Sequence, residues 1–171
     1  MMLLLAVLSL LAPDVQPVKH RVTGLYNAGR EADLREAVQK IAGMTIVSID
    51  FDTAEVTFAY DSLKLLGKGS EKELLERLEN MFRRASSHTF GIRALSTTPK
   101  EKLTRIEIGV LGLDCKGCEL SAYESISKIE GVEQATCSFK ESRMTALIDP
   151  EKTNKAALED ALKKRNVALK P

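Results

Sequence analysis

The chain has 171 residues, with 25 Lys and Arg against 24 Asp and Glu, and 44% of it is apolar. That length and composition suit one ordinary soluble domain or two small ones, while the near-zero net charge, the absence of Trp and 5% aromatic content exclude the basic excess and stacking platforms of a nucleic-acid binder. Three cysteines are too few for a disulfide-stapled mini-protein, and two histidines leave little material for a His-rich metal site or a His-based catalytic triad.

Residues Met1 to Ala12 read MMLLLAVLSLLA, about a dozen apolar residues in a row. A bilayer-spanning helix needs roughly 20 such residues, so the run fits the apolar stretch of a secretory signal better than a membrane span. No Lys or Arg precedes it and Pro13 follows Ala12 directly, which departs from the usual signal pattern. The expectation is an exported chain, periplasmic or secreted, with no membrane span in its mature form. The alternative is a buried or amphipathic terminal helix on a cytoplasmic protein. Residues 13–19, with two prolines, read as a spacer, so 1–19 form leader and spacer.

Sliding the sequence against itself by 88 residues reveals a repeat. Residues 21–61 lie over 109–149 without a gap and with twelve identities, among them Gly24/Gly112, Gly29/Gly117, Gly43/Gly131, Phe51/Phe139 and Asp61/Asp149. In the second copy Ile106, Ile108 and Val110 alternate as a half-buried strand does. Gly112 breaks the alternation, and Ala122, Ile126 and Ile129 follow at helical spacing; Leu34, Val38 and Ile41 take those places in the first copy. Val132, Cys137 and Phe139 begin a second strand, Met144, Ala146 and Ile148 form a third, and Ala157, Leu158, Ala161 and Leu162 a closing helix, with a last strand at 167–169. In the first copy the closing helix runs from Glu71 to about Arg84, and Thr89 to Leu95 supply the last strand.

The order strand–helix–strand–strand–helix–strand is the split βαβ plan. The fold class expected is α+β: two tandem ferredoxin-like sandwiches, each an antiparallel sheet with helices on one face. The domains expected are 20–95 and 104–171, joined by a linker at 96–103.

The concentrated chemistry lies in G-L-D-C-K-G-C, Gly112 to Cys118, between the first strand and first helix of the second copy. Two cysteines separated by two residues on a turn entering a helix can converge on one atom. The helix N-terminus, with its free N–H groups and partial positive charge, favours thiolate over thiol. Thiolates are soft ligands for Cu(I), Zn(II) and related ions, and Gly112 and Gly117 are expected to let the loop wrap without Cβ clashes.

With that motif at that place, residues 104–167 resemble the heavy-metal-associated domain of copper chaperones, mercury-binding periplasmic proteins and metal-exporting P-type ATPases. The family carries G-M-x-C-x-x-C, an aliphatic-lined helix and a Gly-Val before the second strand. This sequence offers G-L-D-C-K-G-C, Ala122/Ile126/Ile129 and Gly131-Val132. The resemblance implies reversible binding of one heavy-metal ion, Zn2+ or Cu+ foremost, by Cys115 and Cys118, with a metal transporter or acceptor protein as partner. It also implies that Asp114 is a candidate third ligand, since members handling zinc, cadmium or lead carry Asp there and copper modules usually Thr. A carboxylate oxygen beside two thiolates suits Zn(II) better than Cu(I), although a carboxylate at a helix start is also an ordinary cap. Leu113 stands at the family's Met, and the closing loop Lys164-Arg165-Asn166-Val167 lacks the glycine–aromatic pair often found beside the metal.

In the first copy the shift places Tyr26 at Asp114, Asn27 at Cys115 and Arg30 at Cys118. None is a thiolate and an Arg repels a cation, so no metal is expected there. The loop reads as an ordinary solvated surface, with a spacer, docking or dimerising role as the alternative. Cys137 lies over Ile49 and is expected in the core and not at the metal. His20, at the join of leader and domain, and His88, near a helix end, are expected at the surface without partners. Lys163-Lys164-Arg165 is cation placement at a helix end.

The function expected is metal binding through the C-x-x-C loop for transfer or sequestration, with no enzymatic activity. A thiol–disulfide protein using the same pair is the alternative, although the absence of Trp and the strand order separate the chain from thioredoxin-like proteins. A non-metal adaptor is the third reading.

Overall fold

The computed structural model of the chain describes Val15, residues 17–112 and residues 115–171. The apolar run 1–12, Leu113 and Asp114 lie outside the described residues.

Two four-stranded antiparallel sheets follow one another along the chain. The first is built from β1 (Pro17–Thr23), α1 (Arg30–Gln39), β2 (Met44–Asp50), β3 (Glu55–Tyr60), α2 (Ser62–Leu66), α3 (Glu71–Ala85) and β4 (Gly91–Arg93). After a 3-10 turn at Lys100–Lys102 come β5 (Thr104–Leu111), α4 (Lys116–Ile126), β6 (Val132–Ser138), β7 (Arg143–Ile148), α5 (Lys155–Lys164) and β8 (Ala168–Leu169). The sheet orders are β2-β3-β1-β4 and β6-β7-β5-β8. They are the same arrangement twice, and the fold is two tandem ferredoxin-like sandwiches.

The 88-residue shift is written into the backbone. Ala54 and Ser142, matched by the shift, both take positive φ, 55° and 47°. Their carbonyls accept hydrogen bonds from Val22 N–H at 2.8 Å and Val110 N–H at 3.0 Å, which are likewise matched. Gly24 and Gly112 share positive φ, 96° and 72°, at the turn that leaves the first strand of each unit. At Gly24 a Cβ would also meet the Thr89 carbonyl oxygen at 2.3 Å, so conformation and space both require glycine there.

Alternation along β3 buries Val56, Phe58 and Tyr60, and along β7 it buries Met144, Ala146 and Ile148. Helices cover these faces: Leu34 and Val38 of α1 with Leu78 and Phe82 of α3 in the first core, Ala122 and Ile126 of α4 with Leu158 and Leu162 of α5 in the second. The Phe58 and Phe82 rings meet edge-to-face at 5.2 Å between centroids. The starts of α3 and α5 follow ordinary capping chemistry. Ser70 and Glu73 form a reciprocal capping box on α3, and the Asn154 side chain accepts from Ala157 N–H on α5.

The structure departs from the sequence reading at several points. β1 begins at Pro17, inside the stretch read as spacer, and pairs antiparallel with β3 from Pro17↔Ala59 onward. Val18 packs against the first core. His20 therefore lies within a strand and has a partner, its Nε2 standing 3.0 Å from the Tyr60 hydroxyl. His88 is partnered as well, with Nδ1 accepting from Arg83 Nε at 3.2 Å. The short helix α2 was not anticipated; Asp61 caps it through Lys64 N–H at 2.9 Å. Phe139 falls just past the end of β6 and is 57% exposed.

Leu158 is fully buried whereas Leu63 is 61% exposed. Leu158→Ala should therefore cost about 2–5 kcal/mol of unfolding free energy in a denaturant titration. Leu63→Ala should stay within about 0.5 kcal/mol of the parent protein. Equal effects at the two sites would contradict the core assignment.

Candidate metal centre

The cysteine pair owes its position to the start of α4. The first N–H groups of a helix have no partner within the helix, and a short side chain just before the first turn usually supplies one. Here that residue is Cys115, with φ −147° and ψ 155°, and its Sγ accepts a hydrogen bond from Cys118 N–H at 3.0 Å. The Cys115 carbonyl accepts from Glu119 N–H, also at 3.0 Å. The capping atom and the candidate metal-binding atom are the same sulfur. A thiolate there gains from the helix dipole and from a direct N–H donor, both of which stabilise negative charge.

Cys115 and Cys118 are joined as a disulfide, with Cα atoms 5.1 Å apart. Cys115 is exposed and Cys118 half-buried. The pair opens onto a depression of about 530 Å³ lined by Leu111, Gly112, Ser121 and Arg165–Ala168. The structure thus brings the closing loop, including Asn166 with φ 58°, beside the cysteines. Asp114, the third site residue read from the sequence, lies outside the described residues. Gly112 bears out its conformational role through its positive φ. Gly117 differs: a Cβ there would lie 3.7 Å from Cys115 Sγ, an ordinary contact, so space does not require glycine at that position.

Cys137 is buried in the second core, 2% exposed and not disulfide-bonded. Burial, with a smaller contribution from the Glu119 charge, pushes its thiol up to about 12.

The loop of the first copy is not the solvated surface its polarity implies. Tyr26 is 8% exposed and its ring packs in the second unit's core, 5.3 Å from the Tyr123 ring. Asn27 donates to Glu119 Oε2 at 3.3 Å, and the Arg30 guanidinium lies over the Tyr26 and Phe90 rings. Gln134, a buried polar residue in β6, donates to the Leu25 and Phe51 carbonyls at 3.0 and 3.1 Å. These contacts were missed from the sequence. The available signal was an aromatic residue, Tyr26, in a turn where its counterpart is a carboxylate.

Residues 108–166 match the family model described as the heavy-metal-associated domain. The match lies within the second unit and includes both Cys115 and Cys118. Among solved structures the chain is similar to oxidized MerP from Ralstonia metallidurans CH34, at 24% identity over 40% of this chain and 94% of that one, TM-score 0.38. It is similar to the N-terminal domain of a potential copper-translocating P-type ATPase from Bacillus subtilis in the Cu(I)-loaded state, at 26% identity over 40% and 85%, TM-score 0.38. The N-terminal soluble domains of Bacillus subtilis CopA align over 93% of this chain and 95% of that one, at 19% identity and TM-score 0.37. No curated protein matches the sequence. Among the described residues no helix is long and apolar enough to cross a membrane.

The thiols of the second unit differ in a way that alkylation reads directly, because the thiolate is the reacting form. In the reduced native protein at pH 8, iodoacetamide should label Cys115 and Cys118 and leave Cys137 unmodified until the chain is unfolded. The same shift has a sign for stability. The native state keeps a Cys137 proton that the unfolded chain releases above the ordinary value of 9. The contribution is complete below pH 9 and is lost as pH rises toward about 12. Replacement by Ala should remove that part of the alkaline loss, read as a flatter stability–pH curve above pH 9.

Proposed function

We propose that the chain binds one soft or borderline heavy-metal ion, Zn2+, Cd2+, Pb2+ or Cu+, through Cys115 and Cys118 and passes it to an acceptor protein without catalysing a reaction. The observation that carries this reading is the placing of both cysteines at an exposed helix start, where Cys115 Sγ already accepts the Cys118 N–H. The family match over residues 108–166 supports it.

Binding requires the pair in its reduced form. A dithiol reductant supplies two electrons and two protons to open the disulfide, and the two thiols then release their protons as the ion enters. Two sulfurs suffice for Cu(I). A divalent ion of the zinc type asks for further donors, and Asp114, adjacent to Cys115 in sequence, is the candidate. An open, solvent-facing position is what hand-over needs, because an incoming thiolate of the acceptor must reach the ion before the first two leave. The first unit, with Tyr26, Asn27 and Arg30 at the matched positions, offers no second thiolate site, so the stoichiometry is one ion per chain.

The closed Cys115–Cys118 disulfide favours a second reading, a thiol–disulfide protein in which the same pair cycles between two states. Metal titration of the reduced protein against competing chelators separates the two. One equivalent of Zn(II) or Cu(I) should bind, and Cys115→Ser with Cys118→Ser should abolish it while the circular dichroism spectrum is kept. Asp114→Ala should weaken Zn(II) binding far more than Cu(I) binding. Retention of a full equivalent by the double Ser variant would sink the metal reading. Failure of either ion to compete, together with a reduction potential in the range of catalytic dithiols, would favour the redox one.

A further inference from the structure

The three positions of the first unit that correspond to Asp114, Cys115 and Cys118 all serve the contact between the units. Residues 24–27 engage the second unit one after another. Gly24 N–H donates to the Tyr123 hydroxyl at 2.7 Å. The Leu25 carbonyl accepts from Gln134 Nε2 at 3.0 Å. The Tyr26 ring enters the second core, and its carbonyl accepts from Cys137 N–H at 2.7 Å. Asn27 donates to Glu119. Arg30 makes the loop stiff from behind: its guanidinium centre lies 5.3 Å from the centroid of the Tyr26 ring and 4.4 Å from that of Phe90, and its Nε donates to the Gly24 carbonyl at 3.2 Å.

We propose that the loop Gly24–Arg30 is a metal loop converted into an intramolecular clamp, which locks the two units into one rigid body and fixes the helix that carries Cys115 and Cys118. Its counterpart is the second unit of the same chain. β6 lies at the edge of its sheet, and an edge strand presents backbone groups that need a partner or a cover. The Tyr26 carbonyl meets such a group, Cys137 N–H, and among the described residues the buried Gln134 amide finds its acceptors on the first unit. Gln134 Oε1 in turn accepts from Ala135 N–H at 3.0 Å, so this polar group is satisfied only when the units are docked.

A half-buried ion pair between Arg21 and Glu133 crosses the same junction. The exposed pairs Arg105–Asp52 and Lys100–Asp50 add little, since water and salt screen them.

The clamp grips α4 at Glu119 and Tyr123, one turn apart on the helical row headed by Cys115. Glu119 is held from a second side, its Oε1 accepting Phe139 N–H at 2.9 Å. The flank of the cysteine loop toward Gly112 and Arg165–Ala168 is left for an incoming molecule. The clamp holds whether the thiols carry a metal or cycle as a disulfide.

Backbone 15N relaxation on the full chain tests this. The amides of both units should report one rotational correlation time in the parent protein. In Tyr26→Ala the two units should tumble separately, each with a time falling toward that of a particle half the size. Tyr26 also belongs to the second core, so Asn27→Ala with Gln134→Ala, which leaves the Tyr26 ring in place, is the second variant. It should shorten the correlation times as well and shift the amides of Glu119 to Tyr123 while those of β7 stay unmoved. Two independent correlation times in the parent protein, or a single unchanged time in both variants, would overturn the proposal.

Discussion

A helix that starts at a strand-to-helix turn exposes N–H groups with no partner inside the helix, and that shortage organises this molecule twice. In the second unit Cys115 answers it with sulfur, accepting the Cys118 N–H at 3.0 Å. The arrangement puts both sulfurs on one turn, with Cys115 exposed and Cys118 half-buried. Gly112, at φ 72°, reverses the chain from β5 toward that helix.

The first unit meets the same turn without a thiol. Asn27, matched to Cys115, is a residue type well suited to capping, yet α1 begins only at Arg30 with Gly29 before it and no side-chain cap. The Asn27 amide is committed to Glu119 of the second unit. One supersecondary design thus carries the cysteine pair in one copy and, in the other, a loop packed against the second unit. The two loops differ at four of seven positions, Tyr26/Asp114, Asn27/Cys115, Ala28/Lys116 and Arg30/Cys118, and each leaves its strand at a glycine of positive φ, Gly24 and Gly112.

Much of this was legible in the residues. Periodicity at Ile106/Ile108/Val110 and Ala122/Ile126 gave strand and helix, and the 88-residue repeat carried those assignments into the first unit, where the matched φ values at Ala54 and Ser142 agree. The cysteine loop was visible because its chemistry is local: spacing, turn and helix start lie within seven residues. The contacts between the units were not visible, because they are made by residues distant in sequence whose local patterns are ordinary. Tyr26 reads as a polar-loop aromatic and Gln134 as a surface strand residue until the other unit is placed against them. Likewise β1 was read as starting too late, since Pro17 and Lys19 disguise a strand whose inward residue Val18 packs on the core.

The central claim is that the sulfurs of Cys115 and Cys118 together hold one ion. X-ray absorption at the edge of the bound metal, on the reduced chain loaded with one equivalent of Zn(II), counts those bonds directly. The account predicts two sulfur neighbours at about 2.3 Å from each zinc ion, with lighter donors completing the sphere. A zinc sphere made only of nitrogen and oxygen would contradict it.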